Sequence, residues 1–457
     1  MTPRTASLLR QLGIVSATAL VVSNMVGTGI FTMSGFLAGQ LGGAPLILAI
    51  WVVGAVCALA GAFCYSELGI NFPSSGGEYV YLTEAYGPTW GFMTGWVSFF
   101  AGFSGPIALA ALALSDYLGY FFPALKQENA AHLLGSGDWE FKLGGAQILA
   151  SAIVAAFTIV NCFGVRVAAR VQNVLTAGKV SVILVFLIAG FAFGSGDWGH
   201  FSQPAVRTTD TPLGAQFAVS LFFIYVAYSG WNAATYVAEE LRHPARTLPI
   251  SLAVGTTLVA TLFVALNVLF IYAVPLETMK GVVAVGALAA SHLFGPAVAG
   301  MFSAAMALSL LATVNAMVTI GPRVYYAMAK NGAFFAAAAK VHPRWHTPVI
   351  AIVSQGVCTI IMTITPFVNL VFFVGFALNF FAVLSVASLF VFRRRPGWRK
   401  LGVVSFAYPL IPAFYIIVGA WMTIFGMTFN FRVAVIAVAM IAAGAVAYRW
   451  RVLRSGG

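Results

Sequence analysis

The chain has 457 residues, of which 61% are hydrophobic and only 8% charged. A soluble domain carries roughly a quarter charged residues, so a water-facing surface is excluded and a lipid-facing one is expected. The net charge of +12 would suit nucleic acid, but the placement of the charges along the chain argues against that.

At about 20 apolar residues per span with short connections, the length leaves no room for a sizeable soluble domain. In chain order, apolar stretches predict spans at 12–36, 43–70, 88–122, 144–163, 171–194 and 214–238. The second half follows at 249–273, 287–321, 348–365, 367–392, 407–428 and 431–448. The expected fold is therefore all-α and integral to a membrane, with about twelve transmembrane helices in one domain over residues 1–457. The first apolar stretch, after Arg4 and Arg10, runs past the length of a signal-peptide core, so it predicts a span and no cleavable leader.

Of the 24 Lys and Arg, only Lys126, Lys142, Arg207, Lys280 and Arg432 fall on one side of these spans, and Lys179 lies inside one. All the rest fall on the other side, which carries both termini. By the positive-inside rule the crowded side is predicted to be cytoplasmic, in the cell (inner) membrane. The basic balance is a topology signal, and no nucleic-acid partner is expected. The run from Arg393 to Lys400 also suits anionic lipid. Cys57, Cys64, Cys162 and Cys358 fall within or at the ends of spans, lack metal-ligand spacing and read as packing residues.

Span one carries Ser23-Asn24-Met25-Val26-Gly27-Thr28-Gly29-Ile30-Phe31 near its middle. Glycine weakens a helix by about 1 kcal/mol relative to alanine, and in hydrocarbon each unpaired backbone group costs several kcal/mol. A break there is tolerable only where the backbone lines a cavity or meets a ligand. Span five contains Lys179, followed by the apolar run Val180 to Phe193. Two readings of it stand. The ammonium snorkels to the interface, or it donates to carbonyls freed by the break in span one.

Span six carries Tyr228-Ser229-Gly230-Trp231-Asn232, again near its middle. Glycine pairs also serve close helix approach, so either segment alone reads both ways. Their spacing adds weight: the second break comes five spans after the first. That is the pattern of an inverted-repeat transporter with a midplane site. Repeat one is expected over about 12–194 and repeat two over about 214–392, with helices eleven and twelve (about 407–448) outside both.

The chemistry of such a site follows from helix termini. Free N–H groups at Gly27, Thr28 and Gly29, where span one resumes, favour a carboxylate. Free carbonyls at Val226, Ala227 and Ser229, where the first half of span six ends, favour an ammonium. Donors on one side and acceptors on the other suit a zwitterionic α-amino acid. The 12 acidic residues are predicted to lie in loops or near span ends, so no carboxylate relay is expected at the membrane centre. A dibasic substrate then lacks a counter-ion, which tilts the reading toward neutral ones. Among the loops, Ser75-Gly76-Gly77-Glu78 and Arg242 to Pro249 lie on the cytoplasmic side. Both are ordinary turn chemistry, with Pro249 placed to start span seven. A cytoplasmic gate in which Glu239 or Glu240 pairs with arginine is the other reading.

These residues resemble the amino acid–polyamine–organocation superfamily, closest to its sodium-independent L-type transporters and their bacterial relatives. The resemblance rests on Gly27 to Phe31, Phe72 to Tyr81, Gly164 to Lys179, Tyr228 to Asn232 and Glu239 to Pro249. It implies a five-plus-five inverted repeat with broken helices one and six, and alternating access by rocking of a bundle against a scaffold. It implies substrate carboxylate binding at Gly27, Thr28 and Gly29, and amino-group binding at the span-six carbonyls together with the Met25 carbonyl. Lys179 matches a lysine that fills the sodium site in sodium-independent members. Asn379 matches a pocket-facing asparagine, and Asn315 is a similar candidate; packing is the alternative for both. Val226 stands where many members carry a bulky aromatic lid, which implies a looser occluded state, a larger substrate, or a lid supplied by another residue such as Tyr225 or Tyr228. The loop from Pro123 to Leu143 holds no cysteine, so no disulfide-linked heavy chain is expected.

The expected function is sodium-independent exchange of amino acids, neutral L-amino acids first, without cofactor or metal. The alternative is a proton-coupled amino acid or polyamine permease of the same fold. An enzyme would need a His, Asp or metal constellation that the chain lacks, and a receptor would need a soluble domain.

Overall fold

Apolar segments of this length can enter lipid only as helices, because helices satisfy every backbone polar group internally. The computed structural model describes residues 8–27, 29–134, 141–282, 284–365, 367–429 and 431–455. Within it, ten helices are long and apolar enough to cross a membrane. Two shorter apolar helices, Val349–Met362 and Ala434–Trp450, stand at the places expected for spans nine and twelve.

Span one divides into Ile14–Met25 and Gly29–Leu41, and span two is Ala44–Asn71. Span three runs from Pro88 to Leu118, with a wide π-helical turn at Ser98–Ser104. Spans four and five are Gly145–Cys162 and Val165–Phe193. Span six divides into an α-helix, Leu213–Tyr228, and a tight 3-10 segment, Ala233–Glu240. Spans seven and eight are Pro244–Ala273 and Pro296–Lys330. Spans ten, eleven and twelve are Phe367–Phe392, Leu410–Phe429 and Phe431–Ser455.

Two expectations are corrected. The stretch 287–321 is not one helix. A short helix, Val285–Phe294, ends at Gly295, whose φ of 89° no ordinary side chain favours, and Pro296 then starts a 35-residue span eight. Span seven starts at Pro244 rather than Pro249, which lies inside the helix. Within the loop 123–143, Ala131–Leu134 pairs antiparallel with Phe141–Leu143.

Spans one, two, six and seven pack on one another. Spans three, four, five, eight and nine form a second group, and the first half of span one lies against spans five and eight of that group. Span ten packs on span eleven, and span twelve on the start of span three. Large apolar side chains such as Phe193, Val185 and Ile188 point outward on span five, as lipid-facing residues do.

Candidate functional site

The two breaks meet. A Cβ on Gly29 would lie 2.6 Å from the Ala227 Cα, and one on Gly230 would lie 2.7 Å from the Asn24 Cβ. Gly230 also has φ of 98°, a conformation open to glycine. Small residues at these two places let span one and span six touch backbone to backbone exactly where each stops being helical.

The break in span one is local and tight. Val26 N–H still donates to Val22 O, and Gly27 N–H turns back to Met25 O at 2.8 Å. The helix resumes at Gly29, while Thr28 lies outside the described residues. The Val26 carbonyl accepts from Lys179 Nζ at 2.6 Å and from Thr313 Oγ1 at 2.8 Å. Lys179 also donates to Thr313 Oγ1 at 2.7 Å and reaches Ser23 O at 3.4 Å. With 1% exposure the ammonium does not snorkel: it sits in the break, ringed by oxygens. Of the two readings of Lys179, this geometry is the second.

The break in span six closes on itself. Val226 O accepts from Ser229 N–H at 3.1 Å and from Ser229 Oγ at 2.7 Å. Gly230 O accepts from Ala233 N–H, and Asn232 O accepts from Thr235 N–H and its Oγ1. The Val226 carbonyl, expected to be free, is therefore already engaged.

Beside the breaks lies a cavity of about 40 Å³, lined by Asn24, Glu78, Phe103, Tyr225, Ser229 to Asn232, Tyr236, Met317 and Leu378 among others. One water needs some 10–15 Å³ by this measure, so the space holds a few waters and must widen for an amino acid. Of the predicted binding residues Ser229 lines it; Met25, Gly27, Gly29, Val226 and Ala227 are not among its lining residues, and Gly29 packs on Ala227 where the two breaks meet. Tyr225 faces the cavity. Tyr228 instead donates to Trp51 O at 3.0 Å and packs edge-on against that ring, which turns it toward span two.

Asn315 and Asn379 are held elsewhere. Asn315 donates to Gln172 Oε1 at 2.8 Å and accepts from Asn161 at 3.0 Å, between spans five, four and eight. Asn379 donates to Gly419 O and Thr423 Oγ1, toward span eleven. Neither is among the residues lining the cavity.

The acids are less peripheral than their sequence positions suggest. Glu78 was expected in a cytoplasmic loop, yet it is 3% exposed and lines the cavity. It accepts from Tyr65 Oη at 2.6 Å and from Asn232 Nδ2 at 3.2 Å. The cause is the turn before it. Gly76 and Gly77 have φ of 121° and 50°, and a Cβ on Gly77 would lie 2.7 Å from the Tyr236 ring. The loop therefore folds in under span six. Burial pushes the Glu78 carboxyl up to about 7 from its usual 4.5, against the pull of the Tyr65 and Asn232 bonds. A glutamate directly after a Gly-Gly pair was the sequence signal for this.

Further along span six, the Glu239/Glu240 pairing takes a definite form. Arg323 Nε donates to Glu240 Oε1 at 2.7 Å with both side chains fully buried, and Lys330 reaches Glu239 at 3.5 Å. Gln11 and Leu12 N–H both donate to Glu240 O, and Arg242 N–H donates to Leu12 O. The chain before span one is thus zipped to the end of span six. Among the described residues no group of His, Cys, Asp or Glu could hold a metal ion, and all four cysteines are free thiols.

The family model described as "Amino acid permease" matches residues 12–450. The mouse "Large neutral amino acids transporter small subunit 2" is 29% identical over 450 residues, covering 97% of this chain and 81% of the relative. The mouse "b(0,+)-type amino acid transporter 1" is 29% identical over 398 residues, 85% of this chain and 77% of the relative. The "Serine/threonine exchanger SteT" of Bacillus subtilis (strain 168) is 28% identical over 412 residues, covering 89% and 88%.

Proposed function

The chain belongs to the amino acid permease family, and from that premise we propose that it exchanges amino acids across a membrane without sodium, neutral L-amino acids first. It is a multi-pass membrane protein and a transporter, not an enzyme. The observation that carries the reading is Lys179 in the break of span one, where its ammonium meets Val26 O, Ser23 O and Thr313 Oγ1. The Lys179 Nζ among these oxygens occupies the ground that a sodium ion would need. The substrate carboxylate is assigned to the span-one backbone at Gly27, Thr28 and Gly29. Its amino group is assigned to the carbonyls of Met25, Ala227 and Ser229, with the Gly27 N–H bond to Met25 O opening as the cavity widens, which frees both groups. Spans one to five and six to ten are read as the two repeats, and the group of spans one, two, six and seven as the part that rocks. The basic face with both termini is assigned to the cytoplasm of the cell membrane. The chain is taken to work without a disulfide-linked heavy chain, and Asn315 and Asn379 are taken as supports of the site rather than contacts.

Uptake of radiolabelled amino acids into proteoliposomes tests this. Uptake driven by internal unlabelled amino acid and indifferent to sodium is expected; uptake that requires sodium would sink the proposal. One observation favours a second reading, proton-coupled uptake. Glu78 lines the cavity, and the groups that bond it, Tyr65 and Asn232, are both neutral. Uptake that needs an acidic exterior, and no internal amino acid, would select that reading.

A further inference from the structure

Spans five and eight carry polar residues at helical spacing on the faces they turn toward each other. On span five these are Gln172, Thr176 and Lys179; on span eight, Asn315, Thr319 and Arg323. All are buried, none above 7% exposed. Spacings of three and four residues put each set on one side of its helix.

Their polar groups are linked, through backbone carbonyls at Ser23 and Thr319 and through side chains between them. Lys179 reaches Ser23 O, and Ser23 Oγ pairs with Thr176 Oγ1 at 2.6 Å. Gln172 Nε2 donates to Thr176 Oγ1 at 3.0 Å, and Asn315 Nδ2 donates to Gln172 Oε1 at 2.8 Å. Asn161 of span four donates to Asn315 Oδ1 at 3.0 Å and accepts from Thr319 Oγ1 at 2.7 Å. Arg323 Nη1 then donates to Thr319 O, and its Nε to Glu240 Oε1. One end holds the break in span one and the other holds the end of span six. Those are the two interrupted helices, and they also touch each other.

A chain of this kind is costly to keep half-made. Each buried group left without a partner loses about 1–3 kcal/mol, whereas apolar residues would pack the two helices without that risk. Fully bonded, it fixes one arrangement of its members. If span one leaves Lys179, Ser23 withdraws its hydroxyl from Thr176, whose Oγ1 is left with Gln172 Nε2, Gln172 O and Ala19 O, and the amides of Gln172, Asn315 and Asn161 readjust to that change. The last of these bonds, at Thr319, lies on the turn whose carbonyl anchors Arg323.

We propose that Gln172, Asn161, Asn315 and Thr319 are positioning residues that tie the grip of Lys179 on the span-one break to the grip of Arg323 on the end of span six, so that the two are released together. The proposal rests on the transporter reading for its purpose, but its test needs no substrate. Hydrogen–deuterium exchange by mass spectrometry on the whole chain in lipid nanodiscs reads the opening of 233–242 and of 14–25 separately.

Lys179→Ala is expected to speed exchange in both segments, by about tenfold in 233–242, the size of an ordinary coupling between bonded groups. Thr319→Val removes the hydroxyl with little change of shape. In that background Lys179→Ala should still loosen 14–25 but change 233–242 by less than about twofold. Thr319→Ser, which keeps the hydroxyl, should restore the full effect. Should Thr319→Val not fold, Gln172→Met breaks the chain from the other helix. Equal acceleration of 233–242 by Lys179→Ala with and without the chain overturns the proposal, as does none at all in the parent protein. A protein silent in proteoliposomes would count against the transport reading and leave this result unaffected.

Discussion

The two breaks look alike in sequence, a short glycine-bearing interruption in an apolar run, and they are satisfied in opposite ways. Span six caps itself: Ser229, three residues on, supplies both donors to the Val226 carbonyl. Span one depends on others: the Val26 carbonyl is met by Lys179 from span five and Thr313 from span eight. A locally closed break can reform wherever its helix moves. A break closed by distant side chains holds only in one arrangement of the helices, which makes span one the element whose state reports the arrangement of the whole.

The sharpest way to break that comparison is Lys179→Ala. It leaves the Val26 carbonyl with Thr313 alone and removes the Nζ that fills the break, so exchange in proteoliposomes should fall by about a hundredfold, near 2.7 kcal/mol, in a protein that still elutes as a folded species. Unchanged kinetics would show that span one does not lean on span five.

Glu240→Ala comes next. It strands Arg323, fully buried, and breaking such a pair costs about 3–5 kcal/mol, which a thermal melt in detergent would register as a clear fall in Tm. A melt like that of the parent would mean the end of span six is held by its own turns alone. Gly29→Ala presses a Cβ to 2.6 Å from Ala227. Overpacking of this sort costs about 1–3 kcal/mol, and exchange should drop about tenfold.

Ser229→Ala should do least to the backbone. The N–H bond to Val226 O survives, so the loss should stay within about 0.5–1.5 kcal/mol, measured by the same melt. A loss as large as that of Lys179→Ala would erase the distinction between the breaks.

A last, smaller effect is pH. The Glu78 carboxyl, raised to about 7 by burial, keeps its proton in the folded protein over a range where the unfolded chain has released it. Its contribution to stability is therefore present at acid pH and declines as pH rises from about 4.5 through 7. Glu78→Gln should flatten the pH dependence of Tm in that window; an unaltered profile would place the titrating group elsewhere.

The sequence read well where one physical rule dominates. Lipid demands helices, so the apolar runs gave the spans, and glycines inside apolar runs gave both interruptions. It read poorly where two rules met. At 287–321 continuous hydropathy outweighs the Gly295-Pro296 signal and predicts one span where the chain turns. Glu78 was placed by its charge in a loop, when the two glycines before it fold that loop into the protein. Gln172, Thr176 and Thr319 carry no signal along the chain, because isolated polar residues in helices are common and only their shared face makes them a set.

The sequence alone determined that this is a many-spanned helical membrane protein with interruptions in spans one and six, since length, hydropathy and glycine placement act along the chain. Tertiary structure decided what fills each interruption. Lys179 could equally have reached the interface by its four-carbon stem, and only the approach of spans one and eight turned its ammonium inward. It decided as well that Asn315 and Asn379 face other helices, that Glu78 meets the cavity, and that Arg323 meets Glu240. Those outcomes rest on which helix faces are pressed together. Hydrophobic patterning constrains this weakly when almost every residue on every side is apolar.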